Sequence, residues 1–265
     1  MKILLVNKYL YRKGGAETYF IKLGEYLKSL GNEVEYFGMA DERNCVEYTE
    51  NIDFHKKSLK HITYPFKIIY SVNARKQIRK VLSDFKPDVV HLNNFNYQLT
   101  PSIIYEIKKH NIPIVYTAHD VQLVCPNHKL KNDYTYGLCR KCDGGKYFEC
   151  VKNNCVHSSK IRSILGAVEA WYYKLRHTYK MIDLTVCPSE FMEKEISRND
   201  DINGRTVTMY NFIDEIKPLG AECENYVLYF GRYSEEKGIL NLVKAAKKLS
   251  NIPFVFAGKG ELENE

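Results

Sequence analysis

Two cations on one loop carry the most specific chemistry in this sequence. Arg232 and Lys237 lie within Phe230-Gly231-Arg232-Tyr233-Ser234-Glu235-Glu236-Lys237-Gly238, between an apolar run and a helical pattern. A guanidinium and an ammonium beside a helix N-terminus, with its free N–H groups, form a natural clamp for a diphosphate. The stretch also reads as a surface loop in which Lys237 pairs with Glu235 or Glu236. Gly14-Gly15 is a second opening, because glycine lets an anion or a sugar hydroxyl approach the backbone at a helix start. It reads equally as a plain turn. The chain has neither a G-x-G-x-x-G fingerprint in that loop nor a P-loop anywhere. His119-Asp120 ends an apolar run, where a histidine either hydrogen-bonds a reacting hydroxyl or merely caps the strand. Gly258-Lys259-Gly260 leaves open backbone after another such run.

A third constellation is Cys139-x2-Cys142-x7-Cys150-x4-Cys155, with Cys125 upstream. A C-x2-C knuckle is the usual half of a tetrahedral zinc site, so Cys139, Cys142, Cys150 and Cys155 are the expected ligands of a structural zinc. Free thiols and disulfides remain open, since spacing alone does not choose among them. Cys45, Cys187 and Cys223 are isolated and read as packing residues.

These residues need a scaffold, and the apolar pattern supplies one. Ile3 to Val6 is a short continuous apolar run, the mark of a parallel strand buried on both faces, and Val34 to Gly38, Val89 to Leu92, Ile114 to Thr117 and Leu184 to Cys187 read as further strands. Helical patterns separate them. In the first, Ala16, Phe20, Leu23, Leu27 and Leu30 share a face. Further helices are expected over Ile68 to Phe85, Pro101 to His110, Ile161 to Ile182 and from Glu190. Such alternation is α/β with right-handed crossovers. Residues 121–158 break the pattern as a long, polar, cysteine-rich insert. Residues 211–225 read as a linker, and a second βαβ opens with Val227 to Phe230 and closes with Phe254 to Ala257. The expected organisation is a domain over 1–210, a linker over 211–225 and the start of a second domain over 226–265.

Composition narrows the function classes. With 45% hydrophobic and 27% charged residues the chain is globular, and no stretch approaches the ~20 apolar residues of a membrane span. The apolar run after Met1-Lys2 is too short for an export signal, so a cytoplasmic location is expected. Net charge is +7, and eight Lys or Arg with no acid fall between His55 and Ser83. Aromatic residues are interleaved there. The segment reads either as a solvated helix face or as contact with an anionic membrane at its inner surface. A nucleic-acid partner is not expected, because the basic residues alternate with core positions and no nucleic-acid motif accompanies the cysteines.

Taken in order, Gly-Gly-Ala-Glu, Thr-Ala-His-Asp, Pro-Ser-Glu-Phe, Asn-Phe-Ile-Asp, Gly-Arg-Tyr-Ser-Glu-Glu-Lys-Gly and Gly-Lys-Gly-Glu resemble family 4 glycosyltransferases, from Met1 to the last residues. The resemblance implies a GT-B fold, two Rossmann-like domains, and transfer of a sugar with retention from a nucleotide-sugar to an acceptor. It implies that Gly14 and Gly15 contact the donor, that His119 lies by the anomeric centre, and that Arg232 and Lys237 hold the diphosphate. Gly258 is carried over as a further donor-side residue. Cations in place of a divalent ion imply no catalytic metal and no catalytic cofactor. The family pattern continues into a Glu-x7-Glu segment that Glu261, Glu263 and Glu265 do not reproduce, so a truncated member with an incomplete donor site is expected. The expected acceptor is a membrane- or lipid-linked glycan of surface polysaccharide synthesis. The alternative is a non-catalytic glycan- or partner-binding module.

Overall fold

The structure, a computed structural model, describes residues 1–47, 51–52, 67–132, 137–202, 204–213 and 224–265. Contacts divide it into two compact units, Met1–Phe212 and Ile213–Glu265. In the first, strands β1 (Lys2–Val6), β2 (Glu33–Met39), β3 (Asn51–Ile52), β4 (Val89–Leu92), β5 (Ile114–Thr117), β6 (Leu184–Cys187) and β7 (Thr206–Thr208) form a parallel sheet. Their order is β3-β2-β1-β4-β5-β6-β7. The order reverses between β1 and β4, the point where open α/β sheets bind ligands beyond the strands' carboxyl ends.

Strand β1 shows how the sequence builds the core. Successive side chains point to opposite faces, so its apolar run feeds two clusters. Leu4 and Val6 join Val90, Leu92, Ile78 and Ile104 on one face, whereas Ile3 and Leu5 join Phe20, Ile21 and Tyr36 on the other. The second face is covered by α1 (Gly15–Ser29). Residues buried on the first come from α2 (Val72–Phe85) and α3 (Ser102–Lys109).

The helices differ from the sequence pattern in informative ways. Helix α1 buries Glu17, Phe20, Ile21 and Gly24, one position off the face expected from Ala16, Leu23 and Leu30. Gly24 sets this rotation, because a Cβ there would lie 2.1 Å from the Tyr36 hydroxyl. The helix expected over Ile68 to Phe85 is interrupted: Ser71 is extended and accepts the Ala74 N–H, opening α2 as a separate, capped helix. Beyond the insert, α5 (Lys160–Leu175) stops short of Ile182, since His177 turns left-handed before a 3-10 turn over Thr178–Met181. The insert itself contains a short helix, α4 (Phe148–Lys152), where no period was legible. Helix α6 (Glu190–Ile196) begins at Ser189, whose hydroxyl accepts the Met192 N–H. Cys45 is exposed rather than packed, Cys187 is buried, and Cys223 lies outside the described residues.

Two buried carboxylates brace the elements. Glu106 of α3 receives Arg75 at 2.7 Å and Arg79 at 2.6 Å from α2. Arg75 and Arg79 thus serve helix packing within the basic segment, while Lys56, Lys57 and Lys60 lie outside the described residues. Glu195 of α6 receives Arg140, which docks the insert.

The second unit is one βαβ: β8 (Val227–Phe230), α7 (Ile239–Ala246) and β9 (Phe254–Ala257), with the strands parallel. Leu228 is 50% exposed and Phe230 80%.

Candidate active site

Three loops converge at the carboxyl ends of β1, β4 and β5. After β1, buried Asn7 donates to the Tyr9 carbonyl at 2.6 Å and accepts the Asn94 N–H at 2.9 Å, which ties the first loop to the one after β4. Asn94 in turn donates to Glu17 Oε1 at 3.2 Å, in the first turn of α1. The start of that helix is therefore fixed by side chains below it and left open above. Gly14 offers no capping side chain, and a Cβ built on Gly15 meets nothing within 4 Å. The free N–H groups of a first helical turn face that space.

His119 stands on the third loop, after β5. Its Nε2 lies 2.9 Å from Asn93 Oδ1, an acceptor, so Nε2 carries the hydrogen and Nδ1 keeps its lone pair. Tyr19 of α1 meets the imidazole edge at 5.4 Å between ring centres. Burial drives the His119 pKa down to about 4, with Asp120 opposing. His91, one strand across, lies 2.7 Å from Thr117 Oγ1 and is likewise pushed down to about 4, by burial and then by His119. Both rings are neutral at pH 7. Asn93 Nδ2 is buried and makes no hydrogen bond among the described residues, an unsatisfied donor at the base of the site.

Beside His119 lies a second polar group. Burial raises the Asp120 pKa, but the hydrogen bond from His128 Nδ1 at 3.1 Å, the Gln122 N–H at 2.9 Å and the charge of Lys8 outweigh it, and the net direction is down. Lys8 is itself lowered by burial, against the pull of Tyr9, Asp120 and Glu17. His128 stacks on Tyr97 with ring planes 6° apart. Both residues hold a left-handed backbone, at φ 63° and 65°, which non-glycine residues adopt at some cost. Glu169 on α5 is pushed up to about 7 by desolvation, with His128 opposing.

In the second unit, the Gly231–Gly238 loop packs on the backbone after β9. A Cβ on Gly258 would sit 1.9 Å from the Gly231 carbonyl oxygen, and one on Gly260 2.2 Å from that of Tyr233. Only glycine permits these approaches. The Tyr233 N–H reaches the Lys259 carbonyl at 3.0 Å, and Arg232 Nη2 reaches Glu236 Oε1 at 2.9 Å across the exposed turn that carries Lys237.

Residues 13–216 match the sequence pattern of Glycosyltransferase Family 4. The chain belongs to that family. An uncharacterized 42.6 kDa protein in the cps region of Klebsiella pneumoniae is 26% identical over 280 residues, covering 98% of this chain and 68% of the relative. Among solved structures, sucrose-phosphate synthase from Thermosynechococcus elongatus superposes with a TM-score of 0.59 at 15% identity, covering 97% of this chain and 61% of that one. Anabaena HepE, in complex with UDP and glucose, gives 0.55 at 15% identity, covering 98% and 61%. The chain thus spans about three fifths of the length of these structures, which share its GT-B fold.

Within this family 4 glycosyltransferase, Gly14, Gly15 and His119 belong to the first unit, and Arg232, Lys237 and Gly258 to the second. Sequence reasoning missed Asn93, Tyr19, Tyr97, His128 and Glu169. Asn93-Asn94 following Val89 to Leu92 was a usable signal, since two amides at the end of a buried strand ask for partners.

The cysteines form a separate group. Cys125, Cys139, Cys142, Cys150 and Cys155 all line one cavity of about 10 Å³. Burial pushes the Cys142 thiol up to about 12 and raises Cys125 and Cys150 as well. Among the described residues, no three Cys, His, Asp or Glu side chains stand ready-made as a metal set.

Proposed function

We propose that the protein is a retaining glycosyltransferase that moves a sugar from a nucleotide-sugar to a glycan acceptor in surface polysaccharide synthesis. The observation that carries this reading is neutral His119, held by Asn93 beside the open first turn of α1 at the sheet's switch point. Its free Nδ1 can accept a hydrogen bond from a sugar hydroxyl, and the N–H groups near Gly15 suit oxygens of the donor. In the reaction the acceptor oxygen bonds to the anomeric carbon on the face from which the diphosphate leaves. The sugar–phosphate bond breaks with its electron pair on the diphosphate, and the acceptor proton passes to that oxygen. Arg232 and Lys237 would stabilise the growing negative charge. A solved neighbour that binds UDP and glucose supports the donor class, and a relative from a cps region supports the polysaccharide setting. The interleaved basic and aromatic residues between His55 and Ser83 support a lipid-linked acceptor at an anionic membrane.

Incubation with radiolabelled nucleotide-sugars and a lipid-linked acceptor tests the proposal. His119→Ala should lower transfer by about 10²-fold, with a circular-dichroism spectrum like that of the wild type showing that the fold is kept. Arg232→Ala should abolish saturable binding of nucleoside diphosphates in calorimetric titration. Transfer at full rate by both variants would overturn the assignment of roles.

A further inference from the structure

We propose that Cys125, Cys139, Cys142, Cys150 and Cys155 border the site of one structural zinc ion, held by four of these five thiols, which line a common cavity. Cys139 and Cys142 are the fixed half of this site. A C-x2-C pair presents both sulfurs to the same point, and zinc takes four sulfur ligands at tetrahedral corners. Cys125, Cys150 and Cys155 supply the other two. Cys125 lies between the insert's first two turns, Cys150 lies on α4 and Cys155 in the turn that follows it, and all three border the same small space with Cys139 and Cys142. That space, about 10 Å³, is one small sphere in size.

Polar side chains border the thiols: Cys139 sulfur accepts from Asn132 Nδ2 at 3.5 Å, and the Cys125 thiol donates to Asn127 Oδ1 at 2.9 Å. Zinc binding replaces the thiol protons, since the metal takes the thiolate form. Among the described residues the thiols do not stand ready-made as a metal set, and binding the ion would draw them together, because metal binding and local ordering are coupled.

The insert needs such a tie. Among the described residues, the insert's own buried apolar cluster is small, formed by Val121, Val124, Cys125 and Leu130 packed against Met192. A cluster of that size does not offset the ordering of a segment this long. The ion would also fix His128, three residues after Cys125, where it holds Asp120. The site is structural, and the proposal stands whether or not the sugar-transfer reading does.

Elemental analysis of the full chain, purified under reducing conditions from zinc-replete medium, should give close to one zinc per chain. Cys139→Ser and Cys142→Ser should each bring this near zero, while Cys187→Ser, a buried cysteine away from the cavity, should keep it. Rapid alkylation of the native wild-type protein should spare four thiols that a chelator then exposes. Replacement by cobalt(II) should give thiolate-to-cobalt charge-transfer absorption, a readout that does not depend on activity. Zinc-free protein from zinc-replete medium would overturn the proposal. So would zinc content unchanged by both substitutions, or disulfides among these cysteines in freshly prepared protein.

Discussion

His91 and His119 show how a site residue is tuned by its surroundings. Each is driven down to about 4 from an ordinary value of 6.5. Between those values the unfolded chain takes up protons that the folded chain refuses. Stability from this source is therefore complete above pH 6.5 and is lost as the pH falls toward 4. Thermal midpoints measured across that window should drop, and His91→Asn should flatten the slope. Glu169 has the opposite sign, because its folded pKa of about 7 lies above the ordinary 4.5. Its contribution is full below pH 4.5 and is lost as the pH rises through 7. Glu169→Gln should raise the midpoint at pH 8 and leave it unchanged at pH 4, as calorimetry can check. His119 and Gly258 stood out in the sequence because each directly follows an apolar run, and Gly14-Gly15 because it opens a helical pattern. The partnerships of Asn93 and His128 were not, since both arise from loops that only the folded sheet brings together.

Among the elements, α2 and α3 are joined by a carboxylate whose position decides its effect. The Glu106 side chain is 3% exposed and accepts from two arginines, so hydrogen bonds to Arg79 and Arg75 outweigh burial and hold its pKa at about 2. Glu106→Gln should destabilise the protein by about 2 kcal/mol, since it strips the charge partner from both arginines and leaves buried polar atoms poorly matched. Denaturant unfolding at pH 7 measures this. The strands of four or more residues were readable from sequence because each has at least three apolar residues in a stretch of four. β3 and β7, of two and three residues, are too short to carry a period. The insert hid its helix for another reason: polar contacts such as Arg140 to Glu195 and Trp171 Nε1 to the Gly145 carbonyl at 2.9 Å dock it, and these follow no repeat.

For the whole molecule, the family pattern covers most of the first unit, where the sheet and its switch point lie. Among the described residues no helix is long and apolar enough to cross a membrane. Replacing Lys56, Lys57 and Lys60 with Glu should weaken sedimentation with anionic vesicles several-fold, with the largest effect at low salt. Unchanged sedimentation would remove the membrane from the proposed function.

The two sheets also differ at their margins. β3 and β7 close the larger sheet with strands too brief to template another chain. Among the described residues the β8–β9 pair has no such guard, and Leu228 and Phe230 of β8 are exposed. In concentrated solution, self-association should begin at residues 227–230, and a charged residue in place of Phe230 should be the most effective single change for keeping the protein dispersed.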